Sequence, residues 1–151
     1  MTEKKLHFVE SKTQKDIFDT YNFNMEIFTG STDFGWSLED IKSEIKDGWK
    51  LYSVKIQEEI VAAAFLKEDG GVLYTKNTPI KIDFQGNGFS HQIKDYYEEL
   101  AKTKKMKRII NYCPADSFRM ISLNERHGYK KTGNKFGENN FLEEWEKKIS
   151  K

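Results

Sequence analysis

KIDFQGNGFSHQIKDYYEELAK, residues 81–102, changes its period halfway along. On the N-terminal side Ile80, Ile82 and Phe84 alternate as in a strand. Beyond the middle, Phe89, Ile93, Tyr96 or Tyr97 and Leu100 recur at the spacing of one helix face. The junction is Gln85-Gly86-Asn87-Gly88. A helix N-terminus leaves several backbone N–H groups without intrahelical partners and carries partial positive charge. Glycine has no Cβ to hold an anion off the backbone. The corner therefore reads either as a tight turn or as an anion cradle. As a cradle its donors are the amides of Gly86, Asn87, Gly88, Phe89 and Ser90, with the Asn87 side chain and the Ser90 hydroxyl. Two familiar phosphate motifs do not fit. The dinucleotide fingerprint G-x-G-x-x-G needs glycine where His91 stands, and the P-loop pattern is absent.

Outward from this corner, VLYTKNTPIKIDF (72–84) reads as a long strand interrupted at Asn77-Thr78-Pro79, because Pro79 has no N–H for a ladder. A helix over about 88–103 and a strand at RIINYC (108–113) complete a βαβ crossover. Pro114 ends that strand. Asp116 or Ser117 caps a helix running to about His127, and Gly128 closes it. YKKTGNKF and NFLEEWEKKI are the last two strands, the second with Phe141, Trp145 and Ile149 on one face. On the N-terminal side, WKLYSVKI (49–56) alternates, and IVAAAFLK (60–67) is apolar on both faces like a central strand. Asp69-Gly70 supplies the hairpin between that strand and the next. Residues 5–10 form a first strand. Ser11 and Gln14 make a capping box for a helix to about Phe23, and Ser37 caps a short helix ending near Gly48. The order β-α-α-β-β-β-α-β-α-β-β predicts a single α/β domain over 1–151, with a mixed sheet in three layers.

Composition narrows the function. Hydrophobic residues at 37% and aromatics at 14% supply a core, so the chain is not a disordered one. Charged residues reach 32% yet balance to a net +1, which opposes a general nucleic-acid binder. Cys113 is the only cysteine, so no intramolecular disulfide forms and a reducing compartment fits. MTEKKLHFVE has no apolar signal-peptide region, and no stretch has the roughly 18 apolar residues of a membrane span. The expectation is a cytoplasmic protein. His7, His91 and His127 show no metal-ligand spacing, so no metal is expected.

DFQGNGFSHQIKDYYEELAK resembles the acyl-CoA pyrophosphate-binding segment of the GNAT superfamily of N-acetyltransferases. That segment reads Gln/Arg-x-x-Gly-x-Gly/Ala at the start of a helix. Gln85, Gly88 and Ser90 take the marked positions, with serine as the last small residue. SFRMISLNERHGYKKTG (117–133) is similar to the family's fourth-helix signature, with His127-Gly128-Tyr129 in its closing turn. The order of elements agrees over about 49–133. The resemblance implies the GNAT fold, with splayed central strands 72–84 and 108–113 and pantetheine between them. Backbone groups near Thr78 and Ile80 would pair with the pantetheine arm. The pyrophosphate would sit on Gly86 to His91. The donor would be acetyl-CoA, attacked directly by a deprotonated amine, with a backbone N–H near Ile80 stabilising the oxyanion. Many members carry a tyrosine as proton donor where this chain has Asn124. Met120, Asn124 and Gly128 reproduce a Met-x-x-x-Asn-x-x-x-Gly pattern found in some branches. Asparagine can bond a sulfur or an acyl oxygen but is no acid near neutral pH, which leaves water to protonate the thiolate. The plainer reading of Asn124 is that it orients local backbone.

Other residues are less decisive. Glu58, Glu59, Glu68, Asp69 and Asp83 are the carboxylates considered for a general base. Tyr74 and Tyr112 read as packed aromatics, and Cys113 as a small buried residue. Phe28, Phe34 and Trp36, within 21–36, either pack the N-terminal helices or wall an acceptor pocket. KTKKMKR (102–108) is a solvated helix end or a hold for the coenzyme A 3′-phosphate. The function expected is acetyl transfer to a small-molecule or protein amine. The alternative is a non-catalytic acyl-CoA-binding module, motivated by Asn124 and the absence of an evident base. A protein-interaction domain that kept the fold and lost the ligand is a third reading, opposed by the intact glycines. The strands within 129–149 are candidates for pairing in a homodimer.

Overall fold

The computed structural model describes residues 5–27, 38–77, 80 and 82–149. Its elements are β1 (Leu6–Glu10), α1 (Gln14–Ile27), α2 (Leu38–Lys46), β2 (Lys50–Ile56), β3 (Glu59–Asp69), β4 (Val72–Asn77), α3 (Phe89–Thr103), β5 (Arg108–Pro114), α4 (Phe118–Arg126), β6 (Lys130–Phe136) and β7 (Leu142–Lys148). Short 3₁₀ turns lie at Ile82–Phe84 and Glu138–Asn140. The seven strands are ordered β1-β2-β3-β4-β5-β7-β6. Within this mixed sheet β4 and β5 are parallel, joined through α3. β1/β2, β2/β3, β5/β7 and β6/β7 are antiparallel. The chain divides into two compact units, Met1–Lys67 with Asn77–Phe89, and Glu68–Lys76 with Ser90–Lys151.

In the first unit, Ile41 of α2, Leu51 of β2 and Phe65 of β3 form a core cluster, with Ile17, Tyr21, Ile45 and Trp49 packed on it. Val61 to Leu66 are buried without a break, as a strand covered on both faces should be. The capping box of α1 lies two residues later than the sequence suggested. The Asp16 N–H donates to Thr13 Oγ1 at 3.1 Å, and the Thr13 N–H to Asp16 Oδ2 at 3.5 Å. Ser11 is buried instead. Its N–H donates to the Leu51 carbonyl at 2.8 Å and its hydroxyl bonds Thr20 Oγ1 at 3.0 Å. Ser37, the expected cap of α2, lies outside the described residues.

The strand expected to run to residue 84 ends at Asn77. Gln85 Nε2 donates to the Ile80 carbonyl at 2.8 Å. Five residues of extended chain would set those groups roughly 16 Å apart, so the segment must curl, and Ile82–Phe84 forms a 3₁₀ turn. The period-two spacing of Ile80, Ile82 and Phe84 was therefore a misleading strand signal. Asp83 stands exposed on that turn rather than in a ladder.

In the second unit the end of β3 turns into β4 through Gly70-Gly71, with φ of 59° and 80°. Two consecutive positive values define the primed hairpin turn, which glycine adopts without strain. The turn thus sits one residue later than Asp69-Gly70, and β3 carries through Asp69. Leu73, Ile93, Tyr97, Ala101, Ile109, Tyr129 and Trp145 are buried in this unit. α4 ends in a Schellman turn. The Tyr129 N–H donates to the Asn124 carbonyl at 2.9 Å and the Gly128 N–H to the Glu125 carbonyl at 3.1 Å, with Gly128 at φ 83°. Ser117 holds the N-cap position but makes no side-chain cap bond. Among the described residues no helix is long and apolar enough to cross a membrane.

Candidate functional site

The parallel β4–β5 register runs from Val72↔Arg108 to Thr75↔Asn111. β5 continues to Pro114 in register with β7. At the last β4–β5 pair sits a fully buried polar chain. The Thr75 hydroxyl faces the Ile110 carbonyl at 2.9 Å, and a carbonyl only accepts, so the hydroxyl donates. Its lone pair then accepts from Asn111 Nδ2 at 3.2 Å. That turns Asn111 Oδ1 toward α4, where it accepts from Asn124 Nδ2 at 3.2 Å. One backbone carbonyl thereby sets the direction of three side chains. Asn124 Oδ1 is left as a buried acceptor without a partner. Such an orphan costs about 1–3 kcal/mol and calls for a donor from water or ligand. The sequence reading expected Asn124 at the site, but Thr75 and Asn111 went unnoticed because 36 residues separate them and only the parallel register joins them.

The corner at the head of α3 has Gly86 at φ 83° and Gly88 at φ 78°. A Cβ built on either meets nothing within 4 Å. The first turn of α3 holds no acidic residue to oppose an anion. The side-chain amide of Asn87, expected as a donor, instead reaches the carbonyls of Phe84 and Gln85, each at 3.3 Å. Gln85 likewise spends a side-chain donor on Ile80. Both shape the turn, so anion binding here would fall to backbone amides from Gly86 to His91. Phe89 is buried with its ring 6.4 Å from that of Phe84, Ser90 is half-buried, and Ile80 is buried. Thr78, Pro79, Phe28, Phe34 and Trp36 lie outside the described residues.

Several neighbouring groups were not foreseen. His91 Nδ1 and His127 Nε2 are 2.8 Å apart, and Asp95 Oδ1 is 4.0 Å from His127 Nδ1. Burial, then the His91 ring, pull the His127 pKa down. Lys94 is buried, with Nζ unpartnered and 4.3 Å from the centre of the Tyr129 ring. Burial lowers its pKa to about 7. A signal existed, since Ser90, Lys94, Tyr97 and Ala101 share one face of α3. Burial raises the Cys113 thiol to about 11, which removes it as a nucleophile. Within the basic run, Lys102 pairs with Glu98, Lys104 with Glu68 and Arg108 with Glu146. Among the described residues no cluster of three or more metal-ligating side chains occurs.

No family model matches the chain, and no curated protein is similar to it in sequence. Solved structures are similar. The ribosomal-protein-S18-alanine N-acetyltransferase of Escherichia coli superposes with a TM-score of 0.74 at 15% identity, over 97% of this chain and 96% of that one. A GNAT family acetyltransferase from Elizabethkingia anophelis, solved with acetyl-CoA bound, gives 0.69 at 15% identity, over 97% of this chain and all (100%) of that one. A Bacillus subtilis acetyltransferase in complex with CoA gives 0.66 at 16% identity with the same coverage, 97% and 100%. Identities this low speak for the fold, and they do so nearly end to end: the chain has the fold of the GNAT N-acetyltransferases.

Proposed function

We propose that the protein is an acetyl-CoA-dependent N-acetyltransferase, a single catalytic domain acting in the cytoplasm. The observation that carries the reading is the corner at Gly86–Ser90. It has two glycines at positive φ, open space where their Cβ atoms would be, and a helix start free of acidic residues. In this reading the amides from Gly86 to His91 hold the pyrophosphate. The pantetheine arm pairs with backbone near Thr78 and Ile80. The acceptor nitrogen attacks the thioester carbonyl, a C–N bond forms, the C–S bond breaks, and coenzyme A leaves as thiolate. A backbone N–H near Ile80 stabilises the oxyanion, and water takes the amine proton and protonates the thiolate. The unpartnered oxygen of Asn124 accepts an N–H from the bound pantetheine.

Titration calorimetry with acetyl-CoA, coenzyme A and dephospho-coenzyme A tests this. Micromolar binding to the folded protein, lost in Gly88→Trp, is the expected result. A folded Gly88→Trp that binds as well as the parent would remove the cradle. A second reading, a non-catalytic acyl-CoA-binding module, is favoured by the hydrogen-bond direction at Asn124, which offers an acceptor and no acid. Thiol release from acetyl-CoA with any amine of a broad panel would exclude it.

A further inference from the structure

β7 carries three glutamates, Glu143, Glu144 and Glu146. Glu143 pairs with Lys131 at 3.5 Å and Glu146 with Arg108 at 3.4 Å. Glu144 differs. Its Oε1 accepts from Thr132 Oγ1 at 2.9 Å and from Asn134 Nδ2 at 3.1 Å, both neutral donors. Among the described residues it has no cationic partner. Thr132 and Asn134 lie where the β6–β7 register slips, between Lys131 and Lys135, around Gly133 at φ 95°. The Asn134 N–H also bonds Thr132 Oγ1 at 3.1 Å, which fixes the bulge around the carboxylate.

Directly across on β5 stands Tyr112, the register partner of Glu144. Its ring meets Phe136 of β6 edge-on, with centroids 5.4 Å apart. Register partners share a face of the sheet, and successive residues alternate. Asn111 points toward Asn124, so Tyr112, Glu144 and Phe136 lie on the opposite face. Tyr112 immediately follows Asn111, the last residue of the β4–β5 register. An aromatic pair and a fixed carboxylate thus stand beside the end of that register, on the face away from Asn124.

We infer that Tyr112, Phe136 and Glu144 form the acceptor subsite, and that the acceptor is a cationic amine with an apolar body. Glu144 receives the ammonium and the carbons lie against the two rings, and the same nitrogen attacks the thioester once it has given its proton to water. This rests on the acetyltransferase reading. Amines that also carry a carboxylate are repelled by Glu144.

Phenethylamine is the probe, with phenylalanine as its carboxylated counterpart. Thiol release from acetyl-CoA should be faster with phenethylamine, by roughly tenfold or more in kcat/KM. Glu144→Gln should raise the KM for phenethylamine by roughly tenfold or more while leaving acetyl-CoA affinity unchanged. Phe136→Ala, at a position 44% exposed, should raise the same KM and serves if Glu144→Gln does not fold. Unchanged KM in a folded variant that still binds acetyl-CoA overturns the subsite and leaves the proposed function standing. Acetyl-CoA binding without turnover of phenethylamine, or with phenylalanine preferred, overturns the substrate class. Failure of acetyl-CoA to bind the parent protein overturns the function itself, and this inference with it.

Discussion

Thr75 acts through its neighbours. Its hydroxyl is the link between the Ile110 carbonyl and the Asn111 amide, and Asn111 in turn directs Asn124. Thr75→Val keeps the shape and removes both bonds. We expect a loss of about 1–3 kcal/mol in denaturant unfolding, with weaker acetyl-CoA binding by calorimetry because the Asn124 amide is no longer held in one orientation. Lys94 gives a pH signature of its own. Its pKa falls from 10.5 unfolded to about 7 folded, so above pH 7 the unfolded chain holds the extra proton. Stability should therefore rise with pH from about 7 toward 9, where the Cys113 thiol, 9.0 unfolded and about 11 folded, begins to oppose it. Lys94→Met should flatten this rise and stabilise the protein at pH 7 by an amount on the order of 1 kcal/mol, measured by urea unfolding across that range.

Elements were legible where neighbouring residues agree with one another. The Gly128 stop of α4 is an instance, because one glycine after a helical stripe suffices to mark it. Gly128→Ala places a Cβ at φ 83°, with the Lys147 side chain 4.0 Å away and no clash. The cost is then backbone strain alone, about 1–2 kcal/mol, or roughly 2–8 °C in a thermal melt. The end of β4 was not legible. Alternation of Ile80, Ile82 and Phe84 imitates a strand, and a side-chain bond from Gln85 to Ile80 overrides it. The cap of α1 shifted for a related reason. Ser11 and Thr13 are both competent caps, and the choice went to Thr13 once Ser11 was drawn inward to Leu51 and Thr20.

For the whole molecule, the order of strands and helices could be read because it is written in periodicity, and the glycine corner because its residues are contiguous. The pairings of residues far apart in the chain could not. His91 with His127, Thr75 with Asn111, and Tyr112 with Glu144 each join residues brought together only by folding. Ligand binding should report on the folded molecule as a unit. Acetyl-CoA at about one hundred times its Kd should add about 2.7 kcal/mol of stability, seen as a raised melting temperature, and Gly88→Trp should abolish that rise.

The seventh position in the sheet belongs to β6, whose face is exposed along nearly its whole length and whose register is broken at Gly133. An open strand edge invites another chain to add to it. Here a second copy approaching about a two-fold axis at Gly133 would set Lys131 of each chain against Lys135 of the other. Like charges would meet across a kinked edge, so the bulge that holds Glu144 also disfavours edge-to-edge pairing of β6 with a second copy.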